Sequence, residues 1–147
     1  MFKAVYEGKL DVYLTAPNSD TNAGTIVKLG TSGNVVPANS GDFPYGVLAQ
    51  DVRDPKVNNF KLDSITHLAF YGQKVGVYFD GGLYMTDNIP SGNNVSVGDF
   101  LYVGSGGQFT KTAPASGSAF TQPVAQAETA NNFSNGASKI RIRLLNI

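Results

Sequence analysis

One stretch of this chain is present twice, and that repeat restricts the fold more than any other feature. Gly24 to Val36 reads Gly-Thr-Ile-Val-Lys-Leu-Gly-Thr-Ser-Gly-Asn-Val-Val, and Gly98 to Thr110 reads Gly-Asp-Phe-Leu-Tyr-Val-Gly-Ser-Gly-Gly-Gln-Phe-Thr. They align without a gap, 74 residues apart, with Gly24 on Gly98, Gly30 on Gly104 and Gly33 on Gly107. Ile26 falls on Phe100, Val27 on Leu101, Leu29 on Val103 and Val35 on Phe109. An apolar run, a Gly-bounded polar turn and a second short run are the pattern of a β-hairpin. Internal repeats of this kind decide the architecture before any other reading does.

The similarity continues downstream. Ser40-Gly41 matches Ser116-Gly117, and Leu48-Ala49-Gln50 matches Val124-Ala125-Gln126, now 76 residues apart, with the drift assigned to two extra residues in the Lys111–Ala115 connection. Lys74 to Phe79 matches Lys139 to Leu144 at a spacing of 65, so the first unit carries an insertion over roughly 51–73. Each unit reads as hairpin, third strand, variable loop and fourth strand. Two units are too few for a solenoid and suit one closed or sandwiched β-domain. The expected architecture is all-β: one compact β-barrel or β-tulip-like domain over 23–147, with unit 1 at about 23–86 and unit 2 at about 97–147. Asp80-Gly81-Gly82 is expected to make a tight turn after which Leu83-Tyr84-Met85-Thr86 returns.

Residues 1–22 lie outside the repeat, as an N-terminal arm or an edge strand. An edge strand is the ordinary fate of an ordered terminus. A domain completed by eight repeated strands does not need the segment, which favours an arm docking on a partner through Phe2, Tyr6, Leu10 and Tyr13. On that reading, deleting Met1–Thr15 leaves the thermal melt nearly unchanged.

Composition agrees with an all-β chain. Charged residues are 15%, against roughly 25% in an average soluble protein, and glycine is frequent with 17 residues. Net charge is zero, which gives no electrostatic footprint for nucleic acid or an anionic membrane. No cysteine is present, so neither a disulfide nor a thiolate site is available. Met1 to Glu7 carries no signal-peptide pattern, and no apolar run has membrane-spanning length, so a soluble protein made without an export signal is expected.

The residues offer no catalytic constellation. His67 is the sole histidine and has apolar neighbours and no Gly-x-Ser-x-Gly elbow to serve. One histidine without cysteine does not make an N/S-type zinc site within one chain. Gly104 to Thr112 has the glycines of a phosphate loop but Thr110 where the last glycine belongs, and no helix pattern follows. Asp80, Asp87 and Asp99 lack the register of a calcium loop and read as turn residues. Lys139, Arg141 and Arg143 alternate with Ile140, Ile142 and Leu144, which describes a strand with one basic, solvated face. The sequons at Asn94 and Asn132 signify little without secretion. No cofactor, no metal and no enzymatic activity are expected.

Taken together, Ala23 to Val27, Gly46-Val47-Leu48-Ala49 and Val75 to Gly82 resemble bacteriophage capsid decoration, or cement, proteins. Val97 to Val103, Gly106 to Phe109, Val124-Ala125-Gln126 and the basic-apolar last strand carry the same resemblance in the second unit. It covers roughly Ala23 to Ile147; the insertion at 51–73 is long, and the first 22 residues have no counterpart. The resemblance implies a small β-domain on the exterior of the virion, made in the host cytoplasm. There it would bridge copies of the major capsid protein, as a homotrimer near three-fold positions, with neither nucleic acid nor membrane as partner. The competing reading is a carbohydrate- or receptor-binding module of a phage fibre or tail, with Tyr6, Tyr13, Tyr45, Tyr71, Tyr84 and Tyr102 stacking on sugar rings.

Overall fold

The computed structural model describes residues 2–55, 68–132 and 138–145. His67, the sequon at Asn132–Ser134 and the middle of the 51–73 insertion lie wholly or partly outside them. Among the described residues there are eleven strands and no α-helix. These are β1 (Phe2–Thr15), β2 (Ile26–Leu29), β3 (Val35–Pro37), β4 (Gly46–Leu48), β5 (Asp51–Arg53) and β6 (Leu68–Phe70). Then come β7 (Lys74–Thr86), β8 (Phe100–Val103), β9 (Phe109–Thr110), β10 (Ala125–Ala127) and β11 (Ile140–Leu144). Nine of them form one strongly curled, half-barrel sheet in the order β3-β2-β4-β7-β11-β10-β8-β9, with β1 on β7. The all-β, barrel-like expectation is therefore met.

The strand order is a palindrome of the repeat, and the hydrogen bonds match residue for residue. Leu29 opposes Val35 as Val103 opposes Phe109. The Gly30 N–H donates to the Asn34 carbonyl at 2.7 Å, and the Gly104 N–H to the Gln108 carbonyl at 2.7 Å. In the third strand one expectation needs correcting. Gly24 N–H donates to Leu48 O and Leu48 N–H to Thr25 O; Gly98 N–H donates to Ala127 O and Ala127 N–H to Asp99 O. Leu48 thus corresponds to Ala127, not Val124. The shared Ala-Gln dipeptide drew the alignment three residues out of register: Ala49-Gln50 follows β4, whereas Ala125-Gln126 lies within β10. In the fourth strand Leu48 opposes Val77 as Ala127 opposes Ile142, which is the 65-residue spacing read from sequence.

Asp80-Gly81-Gly82 does not reverse the chain. Both glycines have positive φ, +70° and +99°, yet β7 continues through them as one strand of 13 residues. The glycines bend the strand between two register shifts of the β1–β7 pair, at Ala4/Tyr6 and at Lys9/Leu10. The Tyr84 hydroxyl straps the bend, accepting from the Gly8 N–H at 3.0 Å and donating to the Gly81 carbonyl at 3.1 Å.

Residues 2–15 are an edge strand. β1 pairs antiparallel with β7 from Phe2 opposite Thr86 to Thr15 opposite Lys74. Tyr78 pairs with both Leu10 and Val47, and Tyr84 with both Ala4 and Ile142. A strand has two edges, so β1 occupies one edge of β7 throughout, and β4 and β11 share the other. The β1–β7 ribbon is therefore the one element common to both halves of the sheet. The picture of a domain complete without its first residues is corrected: among the described residues, β1 is the strand that covers that edge of β7.

Matching register does not mean matching surroundings. Val27, Val35, Leu48, Val75 and Val77 pack with Val52, Ala69 and Ala16 in one apolar cluster. Their counterparts Leu101, Phe109, Ala127, Ile140 and Ile142 lie in a second, larger cluster, together with Ile26, Val47 and Tyr78. Successive strand residues point to opposite faces. Unit 1 thus lays its back on the front of unit 2, while the described ends of the insertion, β5 and β6, cover the front of unit 1. The stacking runs face to back. Ile26 is fully buried, whereas its counterpart Phe100 is 49% exposed on the uncovered back of unit 2.

Candidate interaction surface

The four residues expected to make partner contacts do not share a face. In a regular strand, residues 2, 6 and 10 would align, but β1 shifts register between Ala4 and Tyr6, between Lys9 and Leu10, and between Asp11 and Leu14. Phe2 points into the larger core. Its ring stacks on Tyr84 at 5.1 Å and 13° and tilts against Tyr78 at 6.3 Å. It is thus a packing residue and has no ring free to fill a partner's pocket. Tyr6 and Tyr13 stand out from the surface, 72% and 81% exposed, and Leu10 is exposed beside Gly76. Val5 and Val12 are also exposed, and among the described residues no strand lies on the outer edge of β1.

The tyrosines weighed for sugar stacking divide in the same way. Tyr84 is buried, so its ring offers no face to a ligand. Tyr45 donates its hydroxyl to Asp11 at 2.5 Å, and Tyr71 donates to Asp20 at 2.6 Å. The first bond ties a loop to β1, and the second ties two loops to each other. Phe43, beside Tyr45, lines a cleft of about 280 Å³ together with Lys28, Leu29 and Pro44. Lys28 forms an ion pair with Asp42 at 2.8 Å next to that cleft.

Five strands bring a further surface together. Residues directly opposite on paired strands point to the same side of a sheet. Tyr6 opposes Leu83, Leu83 opposes Arg143, Arg143 opposes Gln126, and Gln126 opposes Phe100. Beside this row run Lys3, Met85 and Arg141. The bulge at Val5 places Lys3 and Tyr6 on one face although they are three residues apart. Arg143 donates to the Gln126 side chain at 3.1 Å, and Arg141 meets Glu128 at 3.2 Å. Sequence had the basic stripe on β11 and Tyr6 in separate arguments; only the pairing register joins them.

The residues considered for chemistry are used structurally. The turn at Gly104–Gln108 docks on β2. Asn88 donates its side-chain amide to the carbonyls of Gly24 and Gly107, at 3.1 and 3.0 Å, and Gly106 N–H donates to the Asn39 side chain at 2.9 Å. Asp80 pairs with Lys9 at 3.3 Å; Asp99 accepts from the Ser96 N–H at 2.8 Å and pairs with Lys111 at 3.5 Å. Among the described residues, no three His, Cys, Asp or Glu side chains gather as a metal site.

Electrostatics ties β1 to the domain. The Tyr45 hydroxyl, then the Tyr13 N–H, hold the Asp11 carboxyl below its ordinary 3.8. Lys28, then the Asn39 N–H, lower Asp42 in the same direction. Burial, then the Glu7 carboxylate 3.2 Å away, pushes the Tyr78 phenol up to about 12. A carboxyl with a depressed folded value stabilises the fold fully above its unfolded value, and that share is lost as pH falls through the folded value. The melting temperature is therefore expected to hold between about pH 5 and 7 and to fall below about pH 4. Asp11→Asn should lower it at neutral pH and give a shallower acid limb. An acid limb of unchanged slope in melts from about pH 2 to 6 would refute this role for Asp11.

Fold and surface together define a class: an all-β domain of two hairpin-based units stacked face to back, carrying an exposed apolar edge strand. Comparison of the chain with protein-family models and with characterised proteins found no match.

Proposed function

We propose that this chain is a structural virion protein of the capsid-decoration kind, sitting on the outside of a phage head and bridging major capsid protein subunits. It performs no chemistry on this reading; burial of surface across subunit boundaries opposes rupture of the shell, and many copies make modest contacts strong collectively. The observation that carries the reading is that Val5, Tyr6, Leu10, Val12 and Tyr13 are all exposed apolar side chains on one edge strand. Exposed apolar groups on an unpaired edge are a site for protein association. The residues of the repeat that resemble decoration proteins point the same way, and a homotrimer on the capsid belongs to the same proposal. The test is binding of the purified protein to expanded heads prepared without it. Saturable binding at symmetric positions is expected, and absence of binding overturns the reading. The cleft beside Phe43, with an aromatic ring next to the Lys28–Asp42 pair, favours the second reading, a carbohydrate-binding module. A glycan array positive for the free protein, with loss of signal in Phe43→Ala, would select it.

A further inference from the structure

The back of unit 2 is the same surface, in register, as the back of unit 1, and the two have opposite fates. In unit 1 the row Ile26, Val47, Tyr78 is apolar and buried against unit 2. In unit 2 the corresponding row is Phe100, Gln126, Arg143, and it faces solvent. The repeat therefore uses this face for protein contact once within the chain and leaves the second copy of the face open. Its ends are aromatic, Tyr6 and Phe100, and its centre is the exposed Arg143 guanidinium. That guanidinium donates to the Gln126 side chain. A guanidinium has five N–H donors in a planar fork, so donors remain for a carboxylate. Lys3 and Arg141 flank the row, and Glu128 answers Arg141.

We propose that this face docks an acidic surface of a partner protein, with Arg143 as the central anchor and Tyr6 and Phe100 as the apolar contacts on either side. Arg and aromatic side chains are the residues that dominate protein interfaces when they meet a complementary pocket. A protein occupant is favoured over a nucleic-acid strand because the twin of this face is already a protein-binding face within the fold. The inference rests on the capsid reading only in taking the major capsid protein as the partner.

The test compares wild type with Arg143→Glu and with Phe100→Ala, three exposed-face proteins whose melts should agree within a few degrees. Two probes are used: expanded heads prepared without the protein, and a poly-glutamate peptide. Both are expected to bind wild type more weakly as salt rises, and Arg143→Glu should weaken both by about tenfold or more. Phe100→Ala should weaken head binding with little change in the salt dependence. Heads that bind wild type and Arg143→Glu equally overturn the face and leave the capsid reading standing. Failure to bind heads, with poly-glutamate binding that depends on Arg143, removes the capsid reading and keeps the face. Binding to neither probe that depends on Arg143 overturns the face. An oligothymidylate held more tightly than poly-glutamate, and lost in Arg143→Glu, overturns the choice of a protein occupant.

Discussion

A chain lacking residues 1–15 is expected to lose its cooperative thermal transition and its near-ultraviolet circular dichroism. The truncation strips one whole edge of β7, the strand on which both halves of the sheet converge. It removes Phe2 and Ala4 from the larger core and Leu14 from the smaller one. It takes the Gly8 N–H from the buried Tyr84 hydroxyl and Glu7 from the Tyr78 hydroxyl. Losing a fully buried phenylalanine costs about 3–5 kcal/mol, and partly buried Phe2 accounts for a share of that. Domains of this size have roughly 5–15 kcal/mol of net stability, so the combined loss reaches the whole of it. Tyr13→Ala is the control, because that side chain projects into solvent and its loss should change stability by less than about 0.5 kcal/mol. A truncated chain that melts at the wild-type temperature would show that β7 needs no neighbour on that edge.

The second large effect is expected at Gly107, and its measure is the difference from Gly33, the equivalent residue of the other hairpin. Both glycines have positive φ, +79° and +88°. An alanine in that left-handed region costs about 1–2 kcal/mol at either place. At Gly33 a Cβ meets nothing within 4 Å, and the strain is the whole cost. At Gly107 it would lie 2.5 Å from the backbone oxygen of Ile26 and 2.5 Å from the Thr25 methyl, so the turn must lift off β2. The Asn88 bonds that hold the turn down would lengthen with it. Gly107→Ala is expected to cost about 3–5 kcal/mol, the range of disrupted packing, against about 1–2 for Gly33→Ala. Equal losses in urea melts of the two variants would mean that the hairpins have equivalent surroundings, contrary to the face-to-back stacking.

Where the sequence was informative, the reason is a constraint that survives in single residues. The hairpins were legible because Gly24, Gly33 and their counterparts have positive φ, and a Cβ at Gly30 or Gly104 would crowd the carbonyl across the turn. The last strand was legible through strict alternation, since Ile140 to Leu144 alternate between buried and exposed. The third strands are three residues long, too short for a pattern to fix register, and there the alignment slipped. Asp80-Gly81-Gly82 misled because glycine reports positive φ, and positive φ bends a long strand as well as it closes a hairpin. The role of residues 2–15 was hidden because a repeat describes only what occurs twice, and β1 serves both units once. Val75, Val77 and Tyr78 put apolar groups on both faces of β7, which shows that both faces are covered but not that a strand pairs along each edge. The surface row of Tyr6, Arg143 and Phe100 left no local trace. It depends on the register of five strands at once.

The shared ribbon also sets an order of events as the chain is made. Of the described strands β1 leaves the ribosome ahead of the rest, but its partner β7 begins at Lys74, well after the β2–β3 hairpin and β4 are out. Synthesis at about 5–20 residues per second leaves β1 unpaired for several seconds. During that interval Val5, Tyr6, Leu10 and Val12 are presented on a strand with two open edges, while the β2–β3 hairpin can close on its own. Non-local pairing of this kind carries a loop-closure cost and slows folding. β1 therefore waits for its partner until Lys74 to Thr86 have been made, and a chain stalled before Thr86 carries that strand without the edge it pairs with.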